Sequence, residues 1–533
     1  MTSDDVKIAK VIDTAKTAAK GSILVFVGNT LSTLILMITS IITARLLGPS
    51  NYGLYSIILI PISFSLLFTD FGVRFALTRF IANLRTERKY DMINGFIKAG
   101  LLFETLTSLI IFILMILLAD TAGTYLLGRP DTGFLIQIAS FIIIGNTLVT
   151  TVNSIFIGFD HMNRYSLISI IQAITKLILG PTLIILGFGV LGALIGHITG
   201  YMIAGIIGTI LVLRMYKYHE DINFSIHLTP MIKYGIPLYT SEFISGLLGQ
   251  YTSIILARSV SNTEIGNYYV ATVFSTAINL LITPISTVLF PAFSKFNINY
   301  DINELKIIFT NSLRYTLFLI IPASTFIIFN SSELIRTFYG SNYLNAPFYL
   351  TLYAITFFFL SFSLVLGSFF NGIGRTDISL KTITIQLPFI IPLVPLLTWF
   401  YKVPGFILAS IISSLAGLTY LGWTGHYKYN LNLNLKYTLK TLILSTISSL
   451  PTLILTFIPH HLIRLIISTI IFIIIYLTLA PLMNIIENRD INNLTLITKD
   501  IKFTSTIFTI ALSYENYIIS LFKQRNHSHK TSL

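Results

Sequence analysis

The sequence of 533 residues contains no cysteine and only two tryptophans. The absence of cysteine excludes disulfide bonds and thiolate metal sites. Charge is also scarce: charged residues make up 11% of the chain, whereas soluble domains contain about 25%. Hydrophobic residues make up 54%, and the mean hydropathy is +0.80. Because no soluble fold can bury this much apolar surface, the sequence predicts an integral membrane protein.

Motifs of nucleotide-using and metal-dependent enzymes are missing as well. The sequence has no Walker A loop, no dinucleotide fingerprint and no His-Glu-x-x-His pair. We therefore expect a protein that is not an enzyme and that has no cofactor and no metal site. The net charge of +13 is better explained by loop charge at a membrane surface than by nucleic-acid binding.

Long apolar runs without alternation predict transmembrane helices rather than strands. We predict an all-α membrane protein with fourteen spans and short connections. The approximate ranges of the spans are 22–45, 54–82, 93–119, 134–158, 165–187, 190–213, 231–257, 265–293, 308–330, 347–370, 380–401, 404–426, 439–458 and 464–484. Residues 1–20 predict an amphipathic helix on the membrane surface. Residues 485–533 predict a tail that contains either a second surface helix or a partly ordered segment.

Lysine and arginine are distributed unevenly between the two sides of this arrangement. With fourteen spans, both termini lie on one side, which carries 27 of these residues, against 6 on the other side. Positive residues concentrate in cytoplasmic loops. We therefore expect a multi-pass protein of the cytoplasmic membrane with both termini, including the tail, in the cytoplasm.

An internal repeat with an offset of 213 residues organises the chain. It is clearest between two turn-rich stretches, Ala44–Ser56 and Ala257–Tyr269, where alanine, arginine, glycine and tyrosine recur in the same places. Further pairs at this offset are Lys20 and Lys233, Ser166 and Ser379, and Gly192 and Gly405. The offset predicts two six-helix lobes, residues 21–214 and 231–427, related by a pseudo-two-fold axis along the membrane normal. Residues 439–484 form two additional helices, and the two stretches form matched external corners.

Ionisable residues inside membrane spans are costly and point to function. Six such residues stand out deep within the predicted spans: Asp70, Arg74, Glu104, Lys176, His197 and Glu242. Two fixed cations in an aqueous cavity, Arg74 and Lys176, can hold a phosphate or diphosphate, and arginine can grip it with two hydrogen bonds. Thr287 and Phe389 occupy the positions 213 residues later, so these cations belong to the first half only.

Local explanations exist for the same residues. Asp70 and Arg74 are four residues apart on a predicted helix and can neutralise each other. Lys176 can pair with Glu104, which lies at a similar depth. Glu242 can bind a coupling ion or proton, or can serve packing through hydrogen bonds. His197 lies among small residues and is expected to be a packing histidine.

Six motifs, in order and spacing, resemble the polysaccharide biosynthesis flippases. These are the O-antigen (Wzx-type) transporters of the multidrug/oligosaccharidyl-lipid/polysaccharide exporter superfamily, including archaeal relatives. The motifs are Arg45–Ser56, Asp70–Arg74, Gly158–Tyr165, Tyr234–Leu238, Glu264–Tyr268 and Tyr339–Tyr343. The resemblance covers nearly the whole chain and implies two six-helix lobes around a central cavity plus two extra helices.

The resemblance also implies a function: a polyprenyl- or dolichyl-linked oligosaccharide is turned across the membrane without chemical change. Its implied partners are that substrate, membrane lipid and a coupling ion, H⁺ or Na⁺. Arg74 and Lys176 match by position the cavity cations thought to hold the lipid phosphate and glycan. An alternative is a cation-coupled multidrug antiporter of the related branch, with Asp70, Glu104 and Glu242 binding cations. A membrane-embedded polymerase or glycosyltransferase is a third, which the short loops disfavour.

Overall fold

The computed structural model describes residues 3–215, 224–296, 298 and 300–486, with side chains from residue 27 onward except at positions 284, 286–288 and 456. Within these residues the chain is almost entirely helical and contains no strand. Ten of the helical segments described are long and apolar enough to cross a membrane. Three of them each comprise two predicted spans joined at a kink, at Gly48, Gly187 and Lys402. The prediction of an all-α integral membrane protein is confirmed.

The chain divides into two compact units, of which the first contains residues 1–276, 342–344 and 394–406. Its helices are α1 (Ser3–Leu66), α2 (Val73–Thr86), α3 (Tyr90–Leu117), α4 (Ala119–Thr121), α5 (Gly133–Ala139), α6 (Phe141–Gly158), α7 (Met162–Leu183), α8 (Gly189–Met215), α9 (Phe224–Ser259) and the first part of α10 (Asn262–Ser294). One-turn π-helices at Ala122–Leu126 and Ile184–Phe188 bend the chain. Leu77, Ile97 and Phe156 are buried together in a core shared by α2, α3, α6 and α8.

Among the described residues, the second unit contains residues 277–341, 345–393 and 407–486. Its helices are the rest of α10, α11 (Ile302–Phe329), α12 (Ser331–Tyr339), α13 (Ala346–Gly372), most of α14 (Thr376–Tyr429), α15 (Leu435–Ser449) and α16 (His461–Leu482), with a 3₁₀ segment at Leu450–Phe457. Its core combines aliphatic side chains, mostly leucine and isoleucine, with aromatic ones such as Phe309 and Phe369, whose ring centres lie 5.8 Å apart. Glu333 on α12 accepts hydrogen bonds from Arg464 (2.5 Å) and lies 2.8 Å from His461, which links α12 to α16.

Each predicted span coincides with a helix, but the second was wrong in one respect. It was expected to run unbroken over residues 54–82, whereas α1 ends at Leu66 and α2 begins at Val73. Phe71 (φ 48°) and Gly72 (φ 83°) have left-handed backbone conformations, which a helix cannot contain. Residues 3–20 are helical and continue directly into the first span; their position on the membrane surface stays a prediction. The predicted tail helix lies outside the described residues.

Backbone geometry recurs at the offset found in the sequence. Gly189 (φ 53°, ψ −129°) and Lys402 (φ 56°, ψ −136°) are 213 residues apart and share an unusual conformation at the start of the sixth and twelfth predicted spans. Lys402 adopts it despite its side chain, which such a conformation disfavours. The recurrence supports the predicted repeat, and the division into two six-helix lobes stays a prediction.

The two predicted corners contact each other, and they do so through equivalent residues. A Cβ atom added to Gly53 would clash with the carbonyl oxygen of Asn262, and one added to Gly266 would clash with that of Pro49. Both Gly53 and Gly266, and Pro49 and Asn262, are 213 residues apart. Each corner thus presents the same glycine and the same carbonyl to the other, as in a two-fold interface.

Polar side chains reinforce this contact. Arg129 donates hydrogen bonds to the Asn262 side chain (3.0 Å) and to the Val260 carbonyl oxygen (2.7 Å). Arg258 donates to the Tyr125 carbonyl oxygen at 2.8 Å. The connection after the third span is thereby tied to the turn between α9 and α10.

Candidate functional site

The break between α1 and α2 leaves residues 67–72 of a membrane span outside the α-helical hydrogen-bond pattern, and the N–H groups of residues 67–69 donate instead to carbonyl oxygens three residues earlier. Side chains from other helices replace part of that bonding. Thr107 donates to the Thr69 carbonyl oxygen at 2.8 Å, and the Tyr239 hydroxyl donates to the Leu67 carbonyl oxygen. Unwound backbone is tolerated at membrane depth only where protein or a cavity satisfies it, and in transporters it marks binding sites. The break therefore directs attention to the residues around it.

Four of the five predicted site residues cluster at this break. Asp70 lies in the break; its Oδ1 accepts a hydrogen bond from the backbone N–H of Arg74 at 3.0 Å, and its Oδ2 lies 2.8 Å from Arg74 Nε. The other end of the Arg74 guanidinium donates to Glu242 on α9. Glu104, only 3% exposed, interacts with both Asp70 and Arg74. Two carboxylates thus contact the guanidinium, and a third carboxyl group lies beside Asp70.

Two glycines bring α2 and α9 close enough for the Arg74–Glu242 ion pair. A Cβ atom on either Gly72 or Gly235 would clash with the carbonyl oxygen of the other. Glu242 follows Gly235 by seven residues, which places both on one face of α9. Gly72 also needs its positive φ to start α2. The local sequence therefore fixes both the close approach and the direction of the two charged side chains.

A cavity of about 700 Å³ opens beside this cluster. Its polar lining consists of Arg74, Arg79, Glu242, Thr78, Thr150, Asn153, Ser154, Tyr165 and Tyr234. The Arg79 guanidinium lies over the Tyr234 ring, 4.2 Å from its centre. Two guanidinium groups therefore face one cavity. Sequence analysis did not single out Arg79, because it lies where charged residues near a membrane surface are expected.

Lys176 lies elsewhere. It lines a second cavity of about 330 Å³, which does not include Arg74. In the described part of the chain no carboxylate lies within 4 Å of Lys176, so the alternative pairing with Glu104 is not formed. Gly200 on α8 lets α7 pack closely at this point, because a Cβ atom there would lie 3.3 Å from Lys176 Cβ. The two predicted phosphate ligands are thus in different cavities.

Hydroxyl groups dominate the lining of this second cavity. The lining residues are Thr39, Ser40, Thr43, Tyr52, Tyr55, Ser56, Leu59, Ile60, Ser63, Lys176, Gln250, Ser253 and Tyr269. They come from α1, α7, α9 and α10. Sequence analysis found only Lys176 among them, because single hydroxyl residues are common in membrane helices and carry no individual signal.

His197 is a packing residue, as predicted. Its Nδ1 lies 2.8 Å from the Tyr55 hydroxyl, and its ring stacks on Tyr201 with ring centres 5.4 Å apart. One ring nitrogen and one face of the imidazole are therefore in contact with neighbouring tyrosines. By fixing the Tyr55 ring, His197 supports one wall of the second cavity.

The Gly158–Tyr165 motif forms a turn rather than a site. Asp160 follows the end of α6 and has a left-handed backbone conformation (φ 57°). Its carboxylate forms an ion pair with Arg85 at the end of α2. Burial and the nearby Arg164 guanidinium lower the pKa of His161. The motif serves to join α6, α7 and α2.

Comparison with known proteins places the chain. The family model for polysaccharide biosynthesis proteins matches residues 18–297. An uncharacterized membrane protein of Methanocaldococcus jannaschii is 26% identical over 410 residues, which cover 74% of this chain and 95% of the relative. Stage V sporulation protein B of Bacillus subtilis is 22% identical, over 63% of this chain and 71% of the relative.

Solved structures share the fold. A lipid II flippase MurJ in an inward closed conformation matches with a TM-score of 0.73 at 20% identity, covering 86% of this chain and 98% of MurJ. An inward-facing multidrug resistance MATE family transporter of the MOP superfamily matches with a TM-score of 0.56 at 16% identity, covering 74% and 96%. At these identities the likeness concerns the fold. By the match to its family model, over more than half of its length, the chain belongs to the polysaccharide biosynthesis protein family.

Proposed function

We propose that this protein is a flippase that moves a polyprenyl- or dolichyl-linked oligosaccharide across the cytoplasmic membrane by alternating access, for assembly of cell-surface polysaccharide or glycan. Membership of the polysaccharide biosynthesis family and a fold shared with a lipid II flippase support a lipid-linked substrate. The observation that carries the assignment is the cavity of about 700 Å³ at the broken span, which two guanidinium groups face. Guanidinium groups bind phosphate with paired hydrogen bonds.

Arg74 is the proposed phosphate ligand, and it must exchange partners to act. Its side chain is 31% exposed, that of Glu242 is 50% exposed and that of Asp70 is 15% exposed. The more exposed carboxylate is the one that an entering phosphate can displace. Asp70, which also accepts the Arg74 backbone N–H, stays in place and keeps the guanidinium oriented.

Partner exchange at Arg74 allows substrate binding to change how α9 is held against α2. The Arg74–Glu242 ion pair joins α2 to α9, and a bound phosphate replaces it. A ligand shifts a conformational equilibrium only by its differential affinity for the two states. Release of Glu242 supplies such a difference in affinity, because phosphate binds more tightly to the state in which the Arg74–Glu242 ion pair is broken than to the state in which it is formed.

Lys176 is proposed to act at a later point of the same substrate path. Since it lines a different cavity from Arg74, it is not a second ligand of the same phosphate in this conformation. The charge distribution predicts that the Arg74 cavity lies towards the cytoplasm and the matched corners lie outside. The substrate then meets Arg74 first.

A cation-coupled multidrug antiporter remains the second candidate. One observation favours it: three carboxyl groups cluster near Arg74, with Asp70 and Glu242 in contact with its guanidinium and Glu104 beside Asp70, so the cluster has an excess of negative charge when all are ionised. Such a cluster can take up H⁺ or Na⁺. In the flippase, the same carboxyl groups would bind the coupling ion.

Transport in proteoliposomes tests the flippase. The substrate is a synthetic polyprenyl diphosphate that carries a fluorescent oligosaccharide, and the readout is the fraction reached by an impermeant quencher. Arg74→Gln is expected to reduce the initial rate about 100-fold, because charge-assisted hydrogen bonds to a buried diphosphate contribute about 1.5–3 kcal/mol each.

The matched control is Arg214→Gln, which removes an exposed arginine at the end of α8 and should leave the rate unchanged. Equal rates in Arg74→Gln and the parent protein would refute the assignment. Efflux of an organic cation driven by a proton or sodium gradient, and lost in Glu242→Gln, would favour the antiporter instead.

A further inference from the structure

The second cavity has a chemical character that phosphate binding does not explain. Nine of its lining side chains carry a hydroxyl group, and its single ionisable cation is Lys176. Neither aspartate nor glutamate lines it. A cavity built for a diphosphate would offer several cations, and one built for a cationic drug would offer a carboxylate. This one offers groups that can both donate and accept hydrogen bonds.

Some of these hydroxyl groups are fixed by hydrogen bonds within the protein, and others are available to hydrogen-bond a ligand. The Ser40 and Tyr52 hydroxyls lie 2.7 Å apart, and Tyr55 is fixed by His197. Among the described residues, the side chains of Thr43, Ser63 and Gln250 have no hydrogen-bond partner within 3.5 Å, and neither does Lys176. The cavity thus combines a wall of two fixed tyrosines, Tyr52 and Tyr55, with polar groups that can hydrogen-bond a ligand.

We propose that this cavity is a sugar subsite, which holds one unit of the glycan with at most one negative charge. Ring hydroxyls of the sugar exchange hydrogen bonds with Thr43, Ser63 and Gln250. The Tyr52 and Tyr55 rings supply flat apolar surface for the C–H face of the sugar. Lys176 binds a ring oxygen or a single carboxylate and repels a free ammonium group.

The size and position of the cavity fit this occupant. Its volume of about 330 Å³ lies at the lower end of the range of about 300–1,000 Å³ for ligand sites. Glu242 lines the Arg74 cavity and Gln250 lines this one. At 1.5 Å per residue, these positions on α9 are about 12 Å apart along the helix. The subsite therefore receives a sugar beyond the one attached to the diphosphate.

Equilibrium binding to the full-length protein in lipid nanodiscs tests the subsite, which rests on the proposed function. The probes are polyprenyl diphosphate alone and the same lipid bearing a glucose trisaccharide that ends in glucose, glucuronate or glucosamine. We expect the glucose and glucuronate trisaccharides to bind about tenfold more tightly than the bare lipid, since two or three hydrogen bonds are gained. The glucosamine trisaccharide should show no such gain.

Variants separate the sugar contribution from the phosphate contribution. Thr43→Val with Ser63→Ala should reduce the tenfold gain to about twofold or less and leave binding of the bare lipid unchanged. Lys176→Gln should restore the gain for the glucosamine trisaccharide. Thr182→Val removes an exposed hydroxyl of α7 that lies outside the cavity, and it should change nothing.

Three results would count against these assignments, in distinguishable ways. A gain that survives Thr43→Val with Ser63→Ala refutes the subsite. Equal affinity of all four probes, with binding of each weakened by Arg74→Gln, also refutes the subsite while supporting the phosphate site. Failure of the bare lipid and all trisaccharides to bind refutes the proposed function itself.

Discussion

Span two and its counterpart 213 residues later differ in both backbone and charge. In the first half, residues 67–72 separate α1 from α2, and Arg74 follows the break. In the second half, α10 runs without interruption from Asn262 to Ser294, and Thr287 occupies the position of Arg74. Lys176 likewise corresponds to Phe389.

The turns, in contrast, are alike in both halves. The corner glycines Gly53 and Gly266 and the unusual backbone at Gly189 and Lys402 recur in both halves. Features that shape the framework are therefore duplicated, whereas features that can bind a charged substrate occur once. The comparison teaches that repeated architecture does not require a repeated site, and that the proposed substrate contacts belong to the first half.

Removal of both first-half cations should have the largest effect. Arg74→Gln combined with Lys176→Gln is expected to reduce transport of a labelled lipid-linked oligosaccharide more than 100-fold, because two separate charged contacts with the substrate are lost. Arg375→Gln is the second-half control: it removes an exposed arginine that pairs with nearby Asp377 and Tyr429, and transport should persist. Restoration of transport by Thr287→Arg would show that the halves are interchangeable, contrary to our expectation.

Removal of the Glu242 carboxylate should strengthen binding while slowing transport. Glu242→Gln frees Arg74 from its displaceable partner, and we expect polyprenyl diphosphate to bind about tenfold more tightly, equivalent to about 1.4 kcal/mol. Measured affinity and transport rate together check this. Glu264→Gln, in the first turn of α10, is the control. Weaker lipid binding in Glu242→Gln would contradict partner exchange at Arg74.

Substitution of either corner glycine should have a smaller effect, and its size should be the same in both halves. Gly53→Ala and Gly266→Ala each introduce a Cβ atom that the opposite corner cannot accommodate. Because the native chain has no cysteine, Ser40→Cys provides a unique thiol in the second cavity. Both glycine substitutions should accelerate its labelling from outside by an impermeant reagent several-fold.

Gly249→Ala is the matched control, since its Cβ atom would enter open space. Labelling should keep the parent rate in that background. If only one of the two corner glycines affected the rate, the contact would not be functionally symmetric.

The smallest effect on transport is expected in the second unit. Glu333 is 13% exposed and bonds to Arg464 and His461. Glu333→Gln should lower the free energy of unfolding by about 2 kcal/mol, measured by thermal or denaturant unfolding in detergent. Lipid-linked substrate should bind with unchanged affinity. Glu304→Gln, at an exposed site of α11, controls for the loss of charge, and a loss of substrate affinity in Glu333→Gln would mean that the second unit contributes to the site.

Membrane helices were predictable from sequence because lipid imposes a simple requirement, a long apolar run. The break at residues 67–72 escaped prediction for the same reason. Leu67, Phe68 and Phe71 are apolar, so hydropathy continues across most of the break, and only Asp70 and Gly72 are turn-forming residues. Backbone conformation at that point is set by hydrogen bonds from Thr107 and Tyr239, which are distant in sequence.

The site was predictable only in part. Asp70 and Arg74 are neighbours in sequence, so their pairing could be foreseen. Glu242 is 168 residues from Arg74, and no local pattern connects them. Lys176 and Glu104 were matched by depth, but depth along the membrane normal leaves lateral position open, and Glu104 faces Asp70 instead. Hydroxyl groups from four helices form the second cavity, and their convergence follows from tertiary packing alone.

The contact between the two corners has a consequence for the origin of the chain. At Gly53 and Gly266 each side supplies the same glycine and the same preceding carbonyl. Such a contact requires nothing that two identical polypeptides do not already possess. A half-length protein could therefore close this interface by pairing with a copy of itself. Fusion would then have preserved the interface and freed one copy to lose, or the other to acquire, the charges that distinguish the halves today.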